Sequence, residues 1–182
     1  MEADEARQIF AEAELICSSA EIDSAIVRLA GEITARLEDA HPLVLTVMGG
    51  AVVFAGQLLP KLPFPLECDY VHATRYGNTT SGSELAWLAQ PRMSVAGRTV
   101  LVLDDILDEG ITLAAIKARL LQQGAIACFV AVLAEKELGK AKPIAADFSG
   151  VKVPNRYVFG CGMDVRGSWR NLPAIFALKE GP

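Results

Sequence analysis

Apolar residues are spaced along this chain in two rhythms, and the alternation between them divides it into elements. Short unbroken runs of aliphatic and β-branched residues, Leu43–Val47, Thr99–Leu103 and Ile126–Leu133, read as strands covered on both faces in a parallel sheet. Leu66–Ala73 alternates enough to be another strand, with Glu84–Leu88 returning beside it. Between these runs the period becomes that of a helix. Ile22, Ile26, Leu29, Ile33 and Leu37 recur at helical spacing behind Ser18 or Ser19, either of which can cap a helix start. Further helices are expected over Ala51–Leu59, behind Gly49 and Gly50, and over Leu113–Gln123, which Thr112 opens and Gly124 closes. The opening stretch, Glu2–Leu15, is rich in Ala and Glu and is expected to be helical, anchored by Ile9, Phe10 and Leu15.

Helices alternating with buried strands define an α/β fold with a central, mostly parallel sheet flanked by helices. At 182 residues and 52% hydrophobic content, one domain over 1–182 with a substantial core is expected. Within it, residues 1–40 form an amino-terminal helical arm and 134–182 supply a small carboxyl-terminal hood. A net charge of −5 and a pI near 5.1 argue against broad electrostatic binding to nucleic acid or to an anionic membrane. Any polyanion has to be met by a local site. Cys17, Cys68, Cys128 and Cys161 lack C-x-x-C spacing and read as reduced, mostly core residues. No cationic start leads into an apolar run, and no apolar run reaches the length of a membrane span, so the expectation is a cytoplasmic chain.

The chemistry gathers after Thr99–Leu103. That strand meets Asp104, Asp105 and Asp108 at its carboxyl end, where open α/β sheets place their ligand crevice. Carboxylates so close repel one another, a cost that ligand hydroxyls or a cation can offset. Asp108-Glu109-Gly110-Ile111-Thr112 follows, a glycine turn into a helix start whose backbone amides form an anion nest. Hydroxyls or metal at one end and phosphate at the other point to a phosphorylated sugar. A lone Asp feeding a helix is usually only a cap. Three acids with a glycine turn, in this order, favour the ligand site. Thr74–Ser83 is a polar, glycine-bearing tip, and Glu135-Lys136-Glu137 leaves the strand Ile126–Leu133 toward the same crevice.

The stretch Arg98–Leu113 resembles the phosphoribosyl diphosphate signature of type I phosphoribosyltransferases, in which a hydrophobic strand, an acid pair and D-x-G-x-T occur in fixed order. The resemblance extends from Leu43 to Leu178, where Trp169-Arg170-Asn171-Leu172-Pro173 looks like the family's ending, and leaves the amino-terminal arm without a motif. The hypoxanthine-guanine branch is the most similar. The resemblance implies purine salvage: hypoxanthine or guanine displaces diphosphate from 5-phosphoribosyl 1-diphosphate, giving IMP or GMP, with Mg2+ required. It implies that Gly49 and Gly50 form a diphosphate loop preceded by a non-proline cis bond between Val47 and Met48, and that residues 74–88 are a lid hairpin with Arg75 and Tyr76 at its base. Asp104 and Asp105 would hold ribose hydroxyls or metal-bound water, Asp108 would be the catalytic residue near purine N7, as general base or hydrogen-bond acceptor, and Asp108, Glu109, Gly110, Ile111 and Thr112 would cradle the 5′-phosphate. Lys136, Tyr157, Val158 and Asp164 would bind the base, Arg170 the diphosphate, and Asp104, Asp105 and Asp164 the metal.

Two departures from the family stand out. Met48 replaces a frequent Lys, and Glu109 stands where Thr or Ser is usual, so the Glu109 side chain is expected to face solvent with only its amide turned inward. By analogy the partners are two small-molecule substrates and further copies of the chain, in a homodimer or homotetramer, with no nucleic acid and no membrane. The motif leaves the base open, so xanthine or a pyrimidine is an alternative. A nucleotide-sensing, RNA-binding regulator on the same fold is another, against which the acidic balance counts.

Overall fold

The computed structural model describes residues 1–75 and 85–179. Among these residues, helices α1 (Ala3–Glu12), α2 (Ser19–Leu37), α3 (Val52–Leu58) and α4 (Ile111–Gln122) alternate with nine strands. These are β1 (Glu14–Cys17), β2 (Leu43–Val47), β3 (Glu67–Arg75), β4 (Leu85–Ala89), β5 (Thr99–Leu107), β6 (Ala127–Glu137), β7 (Phe148–Pro154), β8 (Val158–Phe159) and β9 (Ile175–Ala177). Six of them form the main sheet in the order β4-β3-β2-β5-β6-β7, parallel except for β4.

The period of two along β5 explains how the sheet is covered. Leu101 and Leu103 pack with α2 and α3 in one core, while Val100 and Val102 pack with α4 in another. Ile22, Ile26, Leu29 and Ile33 of α2 are fully buried, each worth about 1.5–3 kcal/mol of transfer free energy. The start of α2 is set by a capping box: Ser18 accepts from the Glu21 amide, and the Ser18 amide donates to the Glu21 carboxylate at 2.8 Å.

Three expectations need correction. The helix predicted over Glu2–Leu15 stops at Glu12, and Leu15 lies in β1, which pairs antiparallel with β9. Pairing partners for Leu15 and Cys17 override the helical leaning of the Ala- and Glu-rich stretch before them. The first part of the arm, α1 and β1, therefore belongs to the hood, while α2 covers the main sheet: β1, β9 and β8 make a three-stranded sheet, and Phe10 of α1 packs on Trp169 and Phe176. Secondly, β5 continues past Leu103 to Leu107, because β6 offers it partners up to the pair Leu107 and Glu135. Helix α4 likewise begins at Ile111 rather than at Leu113.

The crevice follows from the lengths of these strands. β2 is paired with β5 only as far as Thr46 and Leu103, and turns away after Val47. Beyond that point β5 keeps β6 on one side and has an open edge on the other. From β2 the chain moves outward to β3, and from β5 it moves the opposite way to β6, so the gap lies at the switch point of the sheet.

Near the amino end of β3, Asp69 is buried and accepts hydrogen bonds from the amides of Tyr70, Arg92 and Met93 at 2.7–3.0 Å. Burial alone would raise its pKa, but these three amides outweigh burial and hold it below the ordinary value of 3.8. The stabilisation is present above that value and is lost as pH falls through the lower folded one. Asp69→Ala is expected to cost about 2–3 kcal/mol at neutral pH by leaving buried amides unsatisfied. A denaturant midpoint at pH 7 matching that of the unaltered chain would contradict this.

Candidate active site

The upper end of β5 brings its acids to the crevice. Asp105 is buried, and its amide donates to Asp104 Oδ1 at 3.0 Å. Above it lies the loop after β2. A Cβ on Gly50 would overlap the Asp105 carboxylate, and one on Gly162, where φ is +103°, would overlap the Gly50 carbonyl oxygen. Two backbone turns and the Asp105 side chain thus meet where Gly50 and Gly162 leave no room for a Cβ.

Burial, and then the charge of its neighbour, pushes Asp104 well above the ordinary carboxylate range. Burial also raises Asp105, although the Asp104 carboxyl, the Ile106 amide and the Arg170 guanidinium offset part of this. Between the unfolded value of 3.8 and the raised folded values, the native state holds more protons than the unfolded chain. The pair's contribution to stability therefore falls as pH rises through that window. Asp104→Asn keeps an oxygen for the Asp105 amide and removes the charge conflict. It is expected to raise Tm at pH 7 by a few degrees, at about 2–4 °C per kcal/mol, and to flatten the decline with pH. A lower Tm in thermal melts from pH 5 to 8 would show that the carboxylate is wanted for the fold.

Two cavities share this edge. One, of about 230 Å³, is lined by Asp105, Ile106, Asp108, Lys136, Tyr157, Val158, Met163 and Asp164. The other, of about 300 Å³, is lined by Asp104, Asp105, Ile106, Asp108 and the run from Glu109 to Leu113. Asp105, Ile106 and Asp108 belong to both. In the first, Lys136 Nζ sits 2.7 Å from Asp108 Oδ2, with the lysine 12% exposed and the aspartate 46% exposed. A nearly buried ammonium is thus held against a carboxylate that solvent still reaches. The exposed ring of Tyr157 forms a wall, and its hydroxyl donates to the Asp164 carbonyl at 3.1 Å.

The second cavity opens on the start of α4. Gly110 caps that helix with φ of +79°, and among the described residues no side chain supplies a capping bond. The first amides of α4 therefore have no partner within the helix and carry the positive end of its dipole. Thr112 lies in this first turn. The Glu109 side chain is exposed and its carboxylate lies 3.6 Å from the Lys140 ammonium.

Arg170 lines neither cavity but is tied to the first through Asp164. It donates to the Gly162 carbonyl at 2.6 Å and pairs with Asp164 Oδ1 at 2.6 Å, while Asp164 Oδ2 accepts from the Gly167 amide. The cis bond lies between Met48 and Gly49, one residue beyond the expected Val47–Met48. Val47 is still paired with Val71, and the Met48 amide donates to the Val71 carbonyl, so the chain stays in strand register until Met48. Arg75 ends β3. Tyr76 and the rest of the expected lid tip lie outside the described residues. Ile106, Met163 and Gly162 were not foreseen as site residues: an alternating Ile on β5 is a plain sequence signal, whereas the positions of Met163 and Gly162 depend on hood turns that no period reveals.

A strand, an acid pair and an anion nest at a switch point are the parts of one enzyme class, and this chain belongs to the phosphoribosyltransferase family: the phosphoribosyl transferase domain model matches residues 18–166. A hypoxanthine-guanine-xanthine phosphoribosyltransferase of Tritrichomonas foetus is 37% identical over 161 residues, spanning 88% of each chain. A hypoxanthine-guanine phosphoribosyltransferase of Bacillus subtilis is 34% identical over 166 residues, spanning 91% of this chain and 92% of the relative. A solved hypoxanthine-guanine-xanthine phosphoribosyltransferase structure is similar at a TM-score of 0.82 with 34% identity, over 92% of this chain and 97% of the other.

Proposed function

We propose that the protein carries out purine salvage, transferring the 5-phosphoribosyl group of 5-phosphoribosyl 1-diphosphate to hypoxanthine or guanine and releasing diphosphate with IMP or GMP. The observation that carries this reading is the Lys136–Asp108 pair at 2.7 Å, in a cavity that shares Asp105, Ile106 and Asp108 with the one opening on the first amides of α4. That layout seats a flat 6-oxopurine on one side and a sugar phosphate on the other. As the base nitrogen attacks C1 of the sugar, the bond to diphosphate breaks and the proton on the purine passes to Asp108. Asp104 and Asp105 accept from the ribose hydroxyls, which offsets the repulsion described above. The amides from Glu109 to Thr112 hold the 5′-phosphate, and Gly49 and Gly50 bring backbone to the diphosphate, where Arg170 adds charge. Tyr157 stacks on the base, and the carbonyls of Val158 and Asp164 accept from its edge.

Mg2+ suits this donor set. Among the described residues no three His, Cys, Asp or Glu side chains gather into a metal cage, and magnesium is commonly held by one or two carboxylates together with substrate oxygens and water. Asp104, Asp105 and Asp164 are the carboxylates that would hold it. When bound, the ion supplies charge neutralisation to the diphosphate as it leaves. The test is nucleotide formation from the donor with hypoxanthine, guanine, xanthine, adenine and uracil in parallel. Xanthine is the competing base, because the name of one relative includes it. Turnover with uracil alone, or with none of the five, would remove the reading.

A further inference from the structure

Lys142 belongs to none of the motifs quoted above, yet its environment is unusual for a lysine. Its side chain is 10% exposed. Its ammonium donates to the carbonyl of Leu107 at 2.9 Å and to that of Lys136 at 2.6 Å, with Glu135 Oε1 at 3.7 Å. Glu135 is itself fastened by Ser149 and Lys152. An ammonium has three donors, and here each faces an oxygen of the protein.

The two carbonyls locate this arrangement in the site. The ladder between β5 and β6 ends at the pair Leu107 and Glu135. Leu107 immediately precedes Asp108, and Lys136 follows Glu135. Past this rung, among the described residues, β6 stays paired with β7 through Lys136 and Val153, but no pairing with β5 sets the distance between Asp108 and Lys136. Lys142 bridges them there from the connection between β6 and β7. We propose that Lys142 is a positioning residue for base recognition: its ammonium extends the β5–β6 pairing by one step and sets the separation of Asp108 and Lys136. This rests on the reading that the cavity holds a purine. Charge-assisted bonds to backbone carbonyls are about twice as strong as neutral ones, and binding groups displaced by about 1 Å can cost on the order of 10²-fold in rate.

The experiment compares Lys142→Met, Lys142→Arg and Lys152→Met with the unaltered chain, measuring kcat and the KM of hypoxanthine and of the phosphoribosyl donor, each variant being confirmed folded by its melt. Lys142→Met is expected to raise the KM of hypoxanthine and lower kcat/KM for it about 10- to 100-fold, with the donor KM within about threefold. Lys142→Arg, which keeps charge and several donors, recovers most of the loss. Lys152→Met removes another cation from the same Glu135 and leaves all constants within about twofold. Should Lys142→Met not fold, Lys142→Gln, a neutral donor of similar reach, carries the same comparison. A folded Met or Gln variant with an unchanged base KM, or one in which both substrates weaken alike, overturns the role of Lys142. An unaltered chain that forms no nucleotide with any base overturns the reading beneath it.

Discussion

Adenine is expected to be used several powers of ten less efficiently than hypoxanthine or guanine. The reason lies in the donor-only chemistry of Lys136, whose ammonium can give a hydrogen bond to a 6-oxo group but can accept nothing from a 6-amino group. The side chain is 12% exposed and already anchored to Asp108, so it cannot swing into solvent to avoid the mismatch. A site that pairs with an oxygen and meets an amino group instead leaves a buried donor unsatisfied, which is the kind of mismatch that yields discrimination of about 10⁴–10⁵ in kcat/KM. Lys136→Gln is expected to narrow the gap, since an amide both donates and accepts. The same change frees Asp108 from its cation, so absolute rates with hypoxanthine fall while the preference shrinks. Equal efficiency with adenine in the unaltered chain, or a preference untouched by Lys136→Gln, would sink the assignment.

The other large effect is expected at Asp108. Asp108→Asn should bind the phosphoribosyl donor nearly as before and lose about 10²–10⁴ in turnover, as removal of a general base does. The amide oxygen can still accept from Lys136, so the cavity wall is kept and only the capacity to take a proton goes. Pre-steady-state measurement separates the two: donor affinity retained with slow chemistry fits the base, whereas turnover near that of the unaltered chain removes Asp108 from that role.

How much of this was legible in the sequence depends on how local the cause was. The run Thr99–Leu103, the acids after it and the glycine turn are consecutive, so the signal survives without any knowledge of neighbours; the structure adds that Asp104 and Asp105 are inside β5 rather than after it. The buried strands and α2 were equally readable, because their periods come from being covered on one face or two. The hood was not. Leu15 changes from helix to strand only because β9 is there to pair with it, and β7 hides behind Ser149 and Gly150, which break the apolar run. Lys142 reads as one more solvated charge until its carbonyl partners, one of them far back in the chain at Leu107, are known.

The pairing of β1 with β9 places Cys17 beside Ile175, across nearly the whole described chain. Parallel units of strand, helix and strand close over short loops, but this pairing must wait for almost everything between to be in place, and its loop-closure entropy is correspondingly larger. During synthesis the phosphate-holding side can therefore take shape first, and the wall formed by Tyr157 and Val158 comes last. The reverse holds on warming: the three short hood strands are a small cooperative unit, of the kind that opens before a buried central sheet does. On the proposed function, the Tyr157 and Val158 wall of the base cavity is thus assembled late and released early, while Lys136, Asp108 and the amides of α4 belong to the part that persists.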